Sequence, residues 1–207
     1  MFLAPPSPSP FPLAEIAKRN LKNQTFYMKK ILFALFGTIL LNSCTIYGLT
    51  NDYSKLTDDE KSLINTKTDF SNLKSKNIYV INGAELKNEL RKNENSLVYI
   101  FTNGCTSKTC LPMSTYESYA KENNYNLYLV MSGYGNLYAT TQQRFDSPLF
   151  TIDYDYYDTK YRSTAWNRLE NDLRNKPKDF KTKPYEGNLF FFKKDKLIKV
   201  LKELPTL

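Results

Sequence analysis

The chain has 207 residues, 41% hydrophobic and 24% charged, a globular composition long enough for one ordinary domain plus short extra segments. It contains no histidine, which excludes a Ser-His-Asp triad, a Cys-His pair and any His-ligated metal site. The net charge of +8 is uneven: Lys18, Arg19, Lys22, Lys29 and Lys30 precede Cys44 against Glu15 alone, so 24 of the 29 basic and 20 of the 21 acidic residues lie from Cys44 onward. The remaining +4 is dispersed and does not point to nucleic acid.

Residues 1–27 open with Ala4-Pro5-Pro6-Ser7-Pro8-Ser9-Pro10, which cannot form a packed element; they read as a non-native extension ahead of a true start at Met28. Met28-Lys29-Lys30 and the 11 apolar-rich residues Ile31–Leu41 are the parts of a secretory signal over residues 28–43. The apolar stretch is short of the roughly 20 residues that cross a bilayer. The ending Leu41-Asn42-Ser43-Cys44 resembles the lipobox of bacterial lipoproteins, with Asn42 where that family has a small or apolar residue. The resemblance implies cleavage before Cys44 and a diacylglycerol on its sulfur. It implies an exported protein whose partner is the lipid bilayer, on the periplasmic side or at the cell surface. An uncleaved anchor with Cys44 unmodified is the alternative.

Residues 44–75 read as a tether and a short helix. The stretch 45–56 is polar, and Thr57-Asp58-Asp59-Glu60 forms a capping box that opens a helix running through Leu63 and Ile64. Residues 76–207 then alternate. Ile78–Ile81 is β-type, Leu86 and Leu90 suit a helix over 84–92, and Leu97–Phe101 is a continuous apolar run expected of a strand buried on both faces. Met113, Tyr116 and Ala120 share one helical face over 111–123, and Leu127–Val130 is another buried strand. An insertion over 133–183 holds an extended piece at Leu149–Ile152 and a helix around 160–174. Leu189–Phe192 and Leu197–Leu201, separated by a polar turn, form a closing hairpin. The fold class is α/β, a mixed sheet flanked by helices, with an insertion before the C-terminal β-hairpin.

Cys105 and Cys110 follow the buried strand directly, in Asn103-Gly104-Cys105-Thr106-Ser107-Lys108-Thr109-Cys110-Leu111-Pro112. A thiolate at a helix start meets unpaired N–H groups and the positive end of the dipole, which lowers its pKa; Lys108 adds to this. Five positions apart in one helix, the pair is separated by about 7.5 Å of rise and about 140° of turn, so a bond requires Cys105 in a loop curling back over the helix. Thr109 is then the N-cap, Cys110 stands in the first turn, and Pro112 is tolerated there.

With these elements and this placement of cysteines, residues 76–203 resemble the thioredoxin-like family, whose core runs β-α-β-α-β-α-β-β-α with a redox pair after the second strand. The spacing here is Cys-x4-Cys where the family has Cys-x-x-Cys, and Gly104 stands where it often has tryptophan. The resemblance implies thiol–disulfide exchange: Cys105 reacts with a client protein, and Cys110 resolves the mixed disulfide. It implies a second thiol–disulfide protein as redox partner and no prosthetic cofactor. Pro184, with Lys183 before it, matches the family's substrate-binding proline. The alternative is a structural Cys105–Cys110 bridge in a non-catalytic binding or accessory lipoprotein.

Three other features carry ordinary readings. Asp153–Asp158 is a polar turn, because a calcium loop needs Gly and Glu where Asp158 and Thr164 stand. Tyr134, Tyr138, Tyr154, Tyr156, Tyr157 and Tyr161 of the insertion read as core and sheet cover, with the lining of a peptide or carbohydrate groove as the alternative. The basic segment from Arg174 to Lys183 is a solvated loop, with contact to anionic lipid heads as the alternative.

Overall fold

Seven strands make one mixed sheet: β1 (Ile64–Asn65), β2 (Ile78–Ile81), β3 (Asn95–Phe101), β4 (Asn126–Met131), β5 (Leu149–Ile152), β6 (Leu189–Lys193) and β7 (Lys196–Leu201). The computed structural model describes residues 48–66, 68–107, 110–181 and 185–205. The chain divides into two units, Met1–Thr45 and Ile46–Leu207, and every described residue belongs to the second. The signal segment, Cys44, Lys108, Thr109, Lys183 and Pro184 lie outside the described residues.

Helices alternate with the strands: α1 (Asp58–Ser62), α2 (Gly83–Leu90), α3 (Met113–Glu122), α4 (Leu137–Thr141) and α5 (Arg162–Leu173). The capping box at α1 forms as expected, with Thr57 Oγ1 accepting from the Glu60 N–H and Glu60 Oε2 accepting from the Thr57 N–H. The helix stops at Ser62, however, because Ile64 extends to pair with Ile78 in β1. A second capping box, Asn82 with Glu85, starts α2.

The sheet order is β1-β2-β5-β4-β3-β6-β7. The first five run parallel, while β6 and β7 are antiparallel to their neighbours. The connection β2-α2-β3 crosses the sheet one way, and β3-α3-β4 and β4-α4-β5 cross it the other. Right-handed crossovers therefore send α2 to one face and α3 and α4 to the opposite one. The core obeys this split. Leu86 and Leu90 of α2 pack with Ala165, Leu169 and Leu173 of α5 over Val98, Ile100, Val130 and Phe150. Met113, Tyr116 and Tyr119 of α3 and Leu137 of α4 pack over Leu97, Tyr99, Leu129 and Phe191. The three layers enclose a sheet whose inner strands are buried on both faces, which is why they read as unbroken apolar runs.

Two expectations are corrected. The segment 133–183 is not an appended insertion, because its strand β5 lies inside the sheet between β2 and β4. Residues 48–56 are no loose tether: the Asn51 carbonyl accepts from the Tyr134 N–H at 2.7 Å, the Leu49 carbonyl accepts from the Arg162 N–H, and Thr50 bridges Tyr161. Asp52 is buried in this segment, accepting from the Gly48 N–H and from Lys55 Nζ.

The basic segment is partly tied down. Arg174 pairs with Glu170 and Glu186, and Arg168 pairs with Asp179. Among the described residues no helix is long and apolar enough to cross a membrane.

Candidate functional site

The loop after β3 is fixed before it reaches the cysteines. Asn103 is buried; its Nδ2 donates to the Gly133 carbonyl at 2.9 Å, and its Oδ1 accepts from Thr140 Oγ1 at 2.8 Å. Gly104 follows with φ +64°, and a side chain there would collide with the Asn136 carboxamide. This pinned turn projects the next residue outward: Cys105 is exposed, and Cys110 is half-buried.

The two cysteines are joined in a disulfide with Cα atoms 6.0 Å apart. An extended run of five residues would part its ends by about 17 Å. A turn in which the Ser107 carbonyl accepts from the Cys110 N–H at 2.9 Å closes that distance.

The helix start differs from expectation. The N-cap of α3 is Pro112, three residues beyond Thr109, so Cys110 lies before the helix rather than in its first turn. Proline has no side chain able to cap, and Gln143 supplies the missing acceptor, its Oε1 taking the Met113 N–H at 3.0 Å. The dipole acts within the first turn of a helix, so Cys110 stands outside the stretch where the sequence places it, and the first amide of that turn is already bonded.

Beside the disulfide an open cleft of about 260 Å³ is walled by Tyr99, Phe101 and Met113 on its apolar side and by Thr140 and Gln143 on its polar side. No described lining residue carries a charge. Below the roughly 300–1,000 Å³ of small-molecule sites, the space suits one or two side chains of a peptide better than a cofactor. Tyr99 stacks on Tyr116 with ring centroids 4.1 Å apart. Burial first, and then its hydrogen bond with Tyr116, hold the Tyr99 phenol far above its ordinary pKa, so it stays neutral at physiological pH.

In parallel α/β sheets ligands favour the carboxyl edge where neighbouring connections leave for opposite faces. Here that point is between β4 and β5, whose following helices α4 and α5 lie on opposite faces. A crevice of about 570 Å³ opens there, lined by Tyr134, Asp153 and Asp155 and by Asn51, Tyr53 and Ser54 of the segment that precedes α1. Asp153 accepts from the Tyr156 N–H, which makes this stretch the turn its composition suggests. Among the described residues no group of three His, Cys, Asp or Glu side chains is placed to hold a metal.

Asn103, Asn136 and Gln143 were not legible as site residues. Their roles come from contacts across some 30 residues, and only Asn103-Gly104 gave a local turn signal. Fold and site together define an α/β domain with an accessible disulfide at the carboxyl edge of its sheet. No family model, curated protein or solved structure matches the chain.

Proposed function

We propose that the protein is an exported lipoprotein, anchored through Cys44, whose domain carries out thiol–disulfide exchange at Cys105 and Cys110. The observation that carries this reading is the disulfide's place: it follows the inner strand β3, with Cys105 open to solvent beside a cleft of side-chain size. A disulfide also suits the oxidising compartment that the signal and lipobox imply. The chain order β2-α2-β3-α3-β4, with β6-β7 closing the sheet beside β3, supports a thioredoxin-like core; β5, set between β2 and β4, is the departure. Lys183 and Pro184 remain the proposed substrate contacts, just upstream of β6.

In the reaction a client thiolate attacks Sγ of Cys105, the Cys105–Cys110 bond breaks, and Cys110 leaves as a thiolate. A second client thiol then attacks the mixed disulfide and releases Cys105. The client dithiol becomes a disulfide, and its two electrons and two protons reside on the pair. A second thiol–disulfide protein reoxidises the pair; run backwards, the same steps reduce a client.

One observation favours the structural alternative. Gln143 already occupies the first amide of α3, so that amide is not free to stabilise a thiolate leaving from Cys110, and a poorer leaving group makes a more durable bond. Cys110→Ser separates the two. Under exchange, cells accumulate mixed disulfides through Cys105, visible on non-reducing gels and abolished by Cys105→Ser. If the variant yields only destabilised monomer, the bond is a staple.

A further inference from the structure

The position at which the chain enters the domain is informative. Gly48 to Asp52 run along the carboxyl edge of the sheet, bonded to Tyr134 after β4 and to Tyr161 and Arg162 at the head of α5. The disulfide loop stands on the same edge after β3, the next strand to β4, and is linked to this segment by contact: Gly104 lies against Asn136, and Asp52 against Gly135. By chain length alone, Cys44 is four residues from Gly48 and so at most about 14 Å away. A domain of roughly 160 residues has a radius of gyration near 15 Å, so an anchor that short cannot serve all edges equally.

The surface chemistry of that edge is distinctive. Of nine large apolar side chains exposed among the described residues, all but Phe180 and Ile198 belong to it. Leu49 and Tyr53 come from the entering segment, Leu111 from beside the disulfide, Tyr138 from the head of α4, and Tyr156 and Tyr161 from the β5–α5 connection. Tyr185, shortly before β6, extends the group. Exposed tyrosine is what membrane–water interfaces select, its ring among the upper acyl chains and its hydroxyl among the head groups.

We propose that the carboxyl edge of the sheet lies against the head-group layer of the bilayer that holds the Cys44 lipid, so that the disulfide is presented to thiols at the membrane surface. The inference rests on the anchored reading above. Acyl chains at Cys44 supply the attachment, and the tyrosine rim supplies the orientation. Asp153, Asp155 and Asp158 share the edge with Lys160 and Arg162, a mixed charge that favours shallow contact with zwitterionic lipid over deep insertion. A client held in or near the bilayer then meets Cys105 directly, and a freely diffusing client is screened from it.

The test uses full-length lipoprotein purified from membranes and reconstituted in phosphatidylcholine vesicles brominated on the acyl chains. In a Trp166→Phe background, a single tryptophan is introduced by Tyr138→Trp, by Tyr156→Trp or, on the outer strand β7, by Ile198→Trp. All three side chains are exposed, and because Trp166 packs against the core, the fold of each variant is verified by circular dichroism. Intact mass of the mature amino terminus reports whether Cys44 carries lipid. The expected result is an acylated protein in which tryptophan emission from positions 138 and 156 falls about twofold in brominated vesicles, while emission from position 198 is unchanged. Acylated protein with no quenching at 138 and 156, or with equal quenching at all three positions, overturns the orientation and leaves the anchor standing. Quenching lost at 138 with that position crosslinked to a second protein also overturns it, in favour of a protein partner. An unmodified Cys44 overturns the anchored reading and this inference with it.

Discussion

Gly104 decides where the Cys105 sulfur points. Its backbone is left-handed at φ +64°, a conformation that costs an ordinary residue about 1–2 kcal/mol, and the Asn136 carboxamide fills the space a side chain would need. The carboxamide can swing aside, so the expected cost of Gly104→Ala is that backbone strain plus a displaced Asn136, about 1–3 kcal/mol in a urea titration. Because Asn103 still holds the Gly133 carbonyl and the Thr140 hydroxyl, the disulfide should form but react with a small thiol at an altered rate, read from the kinetics of its reduction. An unchanged midpoint and an unchanged rate together would mean that the turn does not set the geometry. At this scale the sequence is partly readable: an Asn-Gly pair after an apolar run announces a turn. What it cannot announce is that Asn103 faces inward, because its partners are 30 and 37 residues away.

The approach of α2 to α5 depends on Gly83. Its N–H donates to the Tyr157 hydroxyl, which donates in turn to Asp172 Oδ2, and a β-carbon at Gly83 would collide with the Cβ of Asp172. A β-carbon is nearly as fixed as backbone, so Gly83→Ala must push the helices apart and break this hydrogen-bond chain. The expected loss is about 2–4 kcal/mol, measured by denaturant unfolding; a loss under about 0.5 kcal/mol would show that the helices slide freely. Helices and strands are legible because apolar runs and four-residue spacing mark them locally: β2 and β5 fall on their expected bounds. Partnership is not. Leu149–Ile152 looks like any short extended piece, and only the successive crossovers through α3 and α4, both in one direction, carry it between β2 and β4. The start of α3 lies beyond the residue that local pattern favours, because Thr109 has a capping side chain and Pro112 has none. The acceptor comes instead from Gln143, beyond the reach of any local pattern.

For the molecule as a whole, tyrosine is divided between two tasks. Tyr138, Tyr156 and Tyr161 stand exposed on the carboxyl edge, whereas Tyr99, Tyr128, Tyr134, Tyr154 and Tyr157 are buried against the sheet. Buried phenols keep their hydroxyls bonded: Tyr128 accepts from Asn93 Nδ2, Tyr154 donates to the Ser132 carbonyl, and Tyr157 donates to Asp172. Burial is the leading cause that raises the pKa of all five, to about 12 for Tyr134 and further for the others. In the unfolded chain these groups titrate near 10, so above that pH the unfolded state binds fewer protons than the folded one, and stability falls as pH rises. The stabilisation is complete below pH 10 and is lost progressively as pH climbs toward 12 and beyond. In an alkaline titration, the buried set should ionise cooperatively above pH 10, with loss of the near-ultraviolet circular dichroism. Were the tyrosinate absorbance to complete in one transition near pH 10 while the dichroism persisted, the buried rings would be open to water, and the two-face core built on them would be wrong.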